Sequence, residues 1–561
     1  MSQPQPSFVA EQIGLAKAAL IEAWQVLRHR GPGKVTFWFI ALLIGIAAGF
    51  AALFFRKGIN WLQASLYGTE DVQRLHTFIS GLAWYWVVLI PTFGGLAVGL
   101  ILHHFTRDAR ARTVGDVILG AALHDGRVET RAGLASALSS LITLSTGGSS
   151  GREGPVVHLA GVISTAICRL IKADGITGRD LLGCAVAAAV SASFNAPIAG
   201  ALFALEVVLR HFAVHAFAPI VIASVAGTVI NRLEFGGLTE FVLPTYGDLQ
   251  FYIELPAYLL LGLTCGLVAV VLMLSIFWAE DLGDYLQTRI RLPRYLRPAF
   301  AGAGLGIMAL WFPHIIGVGY ETTSMALTGE LLLHEAIIFA MLKVAAVAIT
   351  MGGRMGGGVF SPSLMIGALT GLGFGLIATG VFPDVSGSSS LYALAGMGAV
   401  AAAVLGAPIS TTLIVFEMTG DWQTGLAVMV AVSMSTALAS RLVDRSFFLT
   451  QLERRGIRLA AGPQAYLLSM FTVARLMRRP GETGAAAEAA CWDLIDAGTY
   501  IDGAATLEAA MSIFEQNAVA FIPVVTLQAD APPELLGALF HVDALKTYNR
   551  ALAATAAEEH S

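Results

Sequence analysis

Charge is scarce in this chain. Of its 561 residues only 13% are Asp, Glu, Lys or Arg, while 56% are hydrophobic, and the mean hydropathy is +0.71. Soluble domains carry about a quarter charged residues, so a soluble enzyme is excluded. Cysteine is also rare. Cys168, Cys184 and Cys265 sit in apolar runs and Cys491 near the end. That scatter points to neither a disulfide framework nor a metal site, and the four read as packing residues. The net charge of −5 says little about partners; no nucleic-acid partner and no cofactor is implied. The first 34 residues lack an apolar core fit for a cleavable signal peptide and read as an amphipathic cytoplasmic segment.

Long apolar stretches are what the chain has instead. Val35–Phe55, Leu82–Leu102, Leu181–Leu205 and Tyr258–Trp278 each approach the ~20 residues that cross a bilayer core. Leu134–Leu144, Val156–Ile171 and Leu426–Leu438 are shorter, with Gly or Pro inside or beside them. Sixty glycines fit close packing and interrupted helices better than a ladder of equal spans. Arg28, Arg30 and Lys34 precede the first stretch, and Arg441, Arg445, Arg454, Arg455 and Arg458 follow the last. The positive-inside rule then places both ends in the cytoplasm.

Two Gly/Pro elements stand out. Gly151-Arg152-Glu153-Gly154-Pro155 opens one apolar stretch, and Gly358-Val359-Phe360-Ser361-Pro362 opens another. Each should interrupt a membrane helix and expose the free N–H groups of the next segment, the arrangement that binds anions. A second pair repeats as well. Asn195 to Glu206 and Gly406 to Glu417 share five of twelve positions, and the two segments begin 211 residues apart. Matching order and spacing imply two homologous halves, about 35–250 and 251–460, with a transport site where their interrupted helices meet. Beyond that the composition turns soluble, and Tyr500–Ala553 reads strand, helix, strand, strand, helix.

Ser150 to Pro155, Gly358 to Pro362 and Phe194 to Gly200 resemble the three strongest motifs of the CLC chloride channels and proton/chloride antiporters. The resemblance covers about residues 35–460. It implies an all-α polytopic membrane protein, an inverted repeat of tilted and broken helices, and a homodimer with one anion pathway per subunit in a bacterial-type plasma membrane. The tail, 461–561, resembles a single cystathionine-β-synthase-type (CBS-like) α+β unit. The resemblance makes Glu153 the gating residue, with Gly151, Arg152, Gly154, Gly358, Val359 and Phe360 around the anion. Arg152 itself reads as a structural cation at the pore mouth. Physics supports the role of Glu153: a carboxylate at a helix N-terminus mimics the anion, and protonation would release it.

Three positions depart from the family pattern. Arg112 replaces a serine or histidine that would face the central anion; there it would attract anions, favour planar oxyanions or pair with Glu153, or it is a surface arginine in a basic loop. Phe448 stands where a tyrosine hydroxyl is usual. Val207 occupies the inner proton-transfer position of many antiporters, while Glu206 and its counterpart Glu417 read as structural acids. Together these predict transport of chloride or a related small anion through a passive or weakly proton-coupled pathway, with a proton-coupled antiporter as the alternative. A distant alternative, an intramembrane serine protease, starts from Gly148-Ser149-Ser150-Gly151 with His314 or His334 as base. Histidines 103, 104, 211 and 215 read as interfacial.

Overall fold

A computed structural model describes residues 34–69, 74–173, 175–212, 214–236, 241, 251–457, 459, 468, 471–526 and 534–559. The predicted N-terminal amphipathic segment, with Arg28 and Arg30, lies outside the described residues, as does Arg458. The first half holds α1 (Lys34–Tyr67), α2 (Leu75–Ser80), α3 (Trp84–Phe105), α4 (Val114–Leu123), α5 (Thr130–Ser145), α6 (Glu153–Ile171), α7 (Gly175–Phe194), α8 (Pro197–Phe203) and α9 (Val214–Phe235). A π-helical turn, Ala204–Leu209, continues α8. The second half holds α10 (Phe251–Ile290), α11 (Arg297–Ala309), α12 (Tyr320–Thr328), α13 (Leu333–Gly352), α14 (Phe360–Val381), α15 (Ser389–Leu405), α16 (Pro408–Thr419), α17 (Trp422–Leu442) and α18 (Phe447–Glu453).

Among the described residues eight helices are long and apolar enough to cross a membrane. Their outward faces carry large exposed apolar side chains, and Trp84, Tyr85 and Trp86 cluster at the start of α3. Such aromatics suit a membrane–water interface. The interior is built from small residues. In α7 the run Leu181–Val190 is buried on every side, and α15 is enclosed in the same way. Helices enclosed all round must approach backbone to backbone; a Cβ added at Gly367 of α14 would stand 2.3 Å from the Gly396 carbonyl oxygen of α15.

Two expectations about spans change. Leu181–Leu205 is not one span: Asn195 adopts the left-handed region at φ 58°, Pro197 follows, and α7 gives way to α8. The short stretch Leu426–Leu438 is part of the 21-residue α17, because its polar flanks continue the helix.

The repeat is visible in hydrogen bonds. Glu206 accepts from the Ile409 N–H (2.9 Å), the Ser410 N–H (2.8 Å) and the Ser410 hydroxyl (2.7 Å) at the start of α16. Glu417 accepts from the Ile198 and Ala199 N–H groups (3.0 and 2.8 Å) at the start of α8. Each repeat's terminal acid thus satisfies the orphan donors of the other's helix start. The end of each element lies at the beginning of the other, so the two segments run in opposite directions. Both acids thus direct their oxygens to backbone N–H groups at helix starts.

The tail holds α19 (Glu488–Asp496), β1 (Ile501–Asp502), α20 (Leu507–Asn517), β2 (Phe521–Thr526), β3 (Glu534–Phe540) and α21 (His541–Glu559). β2 is the centre of the sheet, parallel to β1 and antiparallel to β3. The tail docks on the helical body through α20: the Thr506 hydroxyl donates to the Ala122 carbonyl oxygen (3.4 Å), and buried Glu508 lies 3.6 Å from Arg210. The four cysteines are buried and free.

Candidate functional site

The two Gly/Pro elements meet face to face. The Gly151 N–H donates to the Gly358 carbonyl oxygen (2.7 Å) and the Gly358 N–H donates back to that of Gly151 (2.8 Å). Glycine suits this approach, since a Cβ at Gly358 would stand a tight 3.1 Å from the Gly154 nitrogen. Immediately beyond the bridge, α6 starts at Glu153 and α14 at Phe360. Two helix N-termini, with their unsatisfied N–H groups and partial positive charge, therefore converge on one point inside the helical body.

Glu153 occupies that point. It is 3% exposed; its Oε1 accepts from the Ser361 hydroxyl at 2.5 Å, while Oε2 has no hydrogen-bond partner among the described residues. A buried carboxylate with one oxygen unsatisfied is costly unless local dipoles hold it, and such groups mark function more often than stability. The cavity beside it is lined by Val114, Phe203, Val359, Phe360 and Phe448, and is closed down to about 10 Å³, the room of a single water at most. Phe194 and Phe203 stack their rings 4.7 and 5.9 Å from that of Phe360. Glu153 and this aromatic cluster together form a constriction.

A vestibule lies on either side. On the tail side a cavity of about 190 Å³ is lined by Arg110, Arg297, Arg354, Arg454 and Arg455 against Glu280, Asp281 and Asp284. It shares Thr113, Met351 and Gly357 with the constriction. On the opposite side a cavity of about 210 Å³ is lined by Arg56, His76, Arg152, His314, Tyr320 and Glu321, among others. The Arg152 guanidinium donates to the Ser193 carbonyl oxygen (3.1 Å) and sits 5.4 Å from the Tyr320 ring centre. Arg152 thus lines this cavity while bonded to the backbone. His76 and His314 pack ring to ring at 4.3 Å. Burial holds both imidazoles down, to about 4, although the His76 ring lies 2.9 Å from Glu321; His76 adds to the effect on His314.

Lys343 is fully buried in α13. Its ammonium donates to the carbonyl oxygens of Ile315 (3.0 Å) and Gly317 (2.9 Å), which fastens the segment forming one wall of this second vestibule.

Several sequence expectations come together here. Gly151, Glu153, Gly154, Gly358, Val359, Phe360 and Phe448 converge, and Phe448 supplies bulk without a hydroxyl. Arg112 does not join them. Its guanidinium bonds Asp108 (2.9 Å) and Glu129 (2.9 and 3.1 Å), and it is not among the residues lining the constriction. Two carboxylates outcompete a distant anion site for this cation. Its neighbour Thr113 lines the passage instead. Val207 lines a separate cavity of about 230 Å³ with Glu206, Arg210 and Ser446. The Ser150 hydroxyl donates to the Gly356 carbonyl oxygen (3.4 Å), and His314 packs on His76 and Phe339, so Ser150 and His314 do not pair.

Sequence reasoning passed over Ser361, Thr113, Gln451 and Lys343. Ser361 was open to inference, since it stands in the second motif at the place Gly154 holds in the first.

A family model described as voltage gated chloride channel matches residues 94–440. A putative chloride channel protein, ClcB-like, of Ralstonia nicotianae is 33% identical over 70% of this chain and 91% of its own length. The voltage-gated ClC-type chloride channel ClcB of Escherichia coli K12 is 29% identical over 73% of this chain and 97% of its own. Among solved structures, a slow cyanobacterial Cl⁻/H⁺ antiporter superposes with a TM-score of 0.67 at 21% identity, covering 76% of this chain and 98% of that one.

Proposed function

The chain belongs to the CLC family of chloride channels and transporters, and we propose that in it Glu153 is the gate of a transmembrane pathway for chloride or a related small anion. One observation carries the reading: a buried, half-satisfied carboxylate lies where two converging helix N-termini would otherwise hold an anion, with a vestibule on each side. In the closed state the carboxylate is the anion's stand-in. Protonation cancels its charge, or an anion displaces it, and the side chain leaves the throat. The backbone N–H groups of Val359 and Phe360 then serve the passing ion, while the arginines of the tail-side vestibule raise the local anion concentration.

The favoured mode is passive or weakly proton-coupled, because Val207 cannot exchange a proton from the tail side. Coupled antiport is the second reading, supported by the protonatable group in the throat. The tail side is cytoplasmic by the positive-inside rule, the membrane is a bacterial-type plasma membrane, and the assembly is a homodimer. The tail acts as a CBS-like appendage. The chain is no enzyme in this reading, since Ser150 is spent on a backbone carbonyl.

Anion flux from proteoliposomes under an imposed pH gradient tests it, with chloride, nitrate, bicarbonate and fluoride compared. Flux without proton movement is expected. Uphill proton movement driven by an anion gradient would establish the antiporter instead, and no flux of any anion would sink the transport reading.

A further inference from the structure

The two hydroxyls that this chain lacks at Arg112 and Phe448 leave a question of what meets an anion on the tail side of the constriction. The arginines there are already engaged. Arg110, Arg297 and Arg354 share Asp284, Arg454 pairs with Asp281, and Arg455 pairs with Asp116 at 2.8 Å. They set the potential of the vestibule, but every one of them is already paired with a carboxylate. One donor is different. Gln451, on α18 three residues after Phe448, is 7% exposed and lines the vestibule. Its Oε1 accepts the Thr113 hydroxyl at 2.7 Å, while its Nε2 donates to no acceptor among the described residues. Thr113 lines both the vestibule and the constriction, so the pair stands at their junction. It also caps α4: the Thr113 N–H donates to Asp116 (2.7 Å), and a Cβ at Gly115 would stand 3.3 Å from both the Thr113 hydroxyl and the Gln451 Oε1.

We propose that the Gln451 amide, oriented by the Thr113 hydroxyl, is the tail-side ligand of the transported anion. The inference rests on the anion-pathway reading and names a residue for one end of it. The chemistry suits a small monovalent anion such as a halide or nitrate. An amide offers two N–H donors without a charge, so it can replace part of a hydration shell and still release the ion, as conduction requires. Tying Oε1 to Thr113 leaves the donor end as the free end of the side chain, and keeps the acceptor from repelling the anion. An arginine at this place would hold an anion more tightly. A phenylalanine, as at position 448, would offer it no donor.

The test is the chloride dependence of flux in proteoliposomes of the full chain, for wild type, Gln451→Leu, Thr113→Val and Thr113→Ser. Hydrogen bonds to charged groups lie at the strong end of the range, so Gln451→Leu should raise the half-saturating chloride concentration about tenfold. Thr113→Val should raise it less, the double variant by less than the product of the two, and Thr113→Ser should match wild type. Gln451→Glu keeps the size of the side chain and replaces donors with a carboxylate. It serves if the leucine variant fails to fold, and it should suppress flux at every chloride concentration. Wild-type flux with unchanged half-saturation in Gln451→Leu, or undiminished flux in Gln451→Glu, would overturn the inference and leave the anion pathway standing. Absence of flux in the wild type would defeat the transport reading and the inference with it.

Discussion

At the third position of Gly151–Pro155 stands Glu153, and at the third position of Gly358–Pro362 stands Phe360. The two elements share the leading glycine, the proline, the start of a helix and the reciprocal bonds of Gly151 with Gly358. They differ in side chain. The first half supplies a carboxylate; the second supplies an aromatic wall and, at Ser361, the hydroxyl that holds the carboxylate. In the segments that start α8 and α16 the same two halves stay alike, with Glu206 and Glu417 each capping the other segment's helix start. Symmetry is kept where it carries the scaffold and broken at the constriction. In the proposed pathway a backbone site for an anion is built twice from one pattern, while the gate is needed once.

The largest effect should come from breaking the symmetric part. Glu206 accepts three hydrogen bonds and Glu417 two. Glu206→Ala should therefore lower the unfolding free energy by about 2 kcal/mol and Glu417→Ala by about 1 kcal/mol, read as shifts of the thermal unfolding midpoint in detergent. Equal shifts would mean that the Ser410 hydroxyl contributes nothing.

Breaking the asymmetric part comes next. Ser361→Ala removes the hydroxyl from Glu153 without touching any lining atom of the first half. The closed state should loosen, raising anion flux at neutral pH by about tenfold. Flux at or below the wild-type level would show that the serine does not hold the gate shut.

The second vestibule sharpens the comparison through pH. In the folded chain His76 and His314 resist protonation down to about 4, against 6.5 for a free imidazole. The unfolded chain binds those protons first, so this part of the stability is complete above 6.5 and is lost as the pH falls from 6.5 toward 4. The thermal midpoint should drop across that window in wild type and drop less in a His76→Asn/His314→Gln double variant. A drop of the same size in both would assign the acid sensitivity elsewhere.

The smallest effect concerns Arg112. With its guanidinium held by Asp108 and Glu129, Arg112→Gln should leave the order of anion preference unchanged in flux measurements. A change of order would restore it to the pathway.

Much of this was legible in the sequence. Glycine and proline positions announce where helices break, because their backbone restrictions act locally, and so the sequence marks Glu153, Gly358 and Phe360, which the fold brings together. The repeat gave Glu206 and Glu417 a shared role, since a capping acid needs only a helix start to serve. Arg112 stood between two readings, pathway and surface loop, because alignment fixes position along the chain but not the carboxylates that fold beside it. Asp108 lies close in sequence, yet Glu129 reaches it only through the turn into α5. Gln451 and Lys343 were hidden for the same reason. Their meaning lies in partners far along the chain, Thr113 for one and the carbonyls of Ile315 and Gly317 for the other.

The most direct test of the central claim is chloride flux as a function of pH in wild type and Glu153→Gln. The variant keeps the size of the side chain and removes its charge. If the Glu153 carboxylate closes the pathway, wild-type flux rises on acidification, and the variant carries at neutral pH the flux that wild type reaches only in acid, with little further change. A variant that retained the wild-type pH dependence, or stayed closed at every pH, would contradict the account.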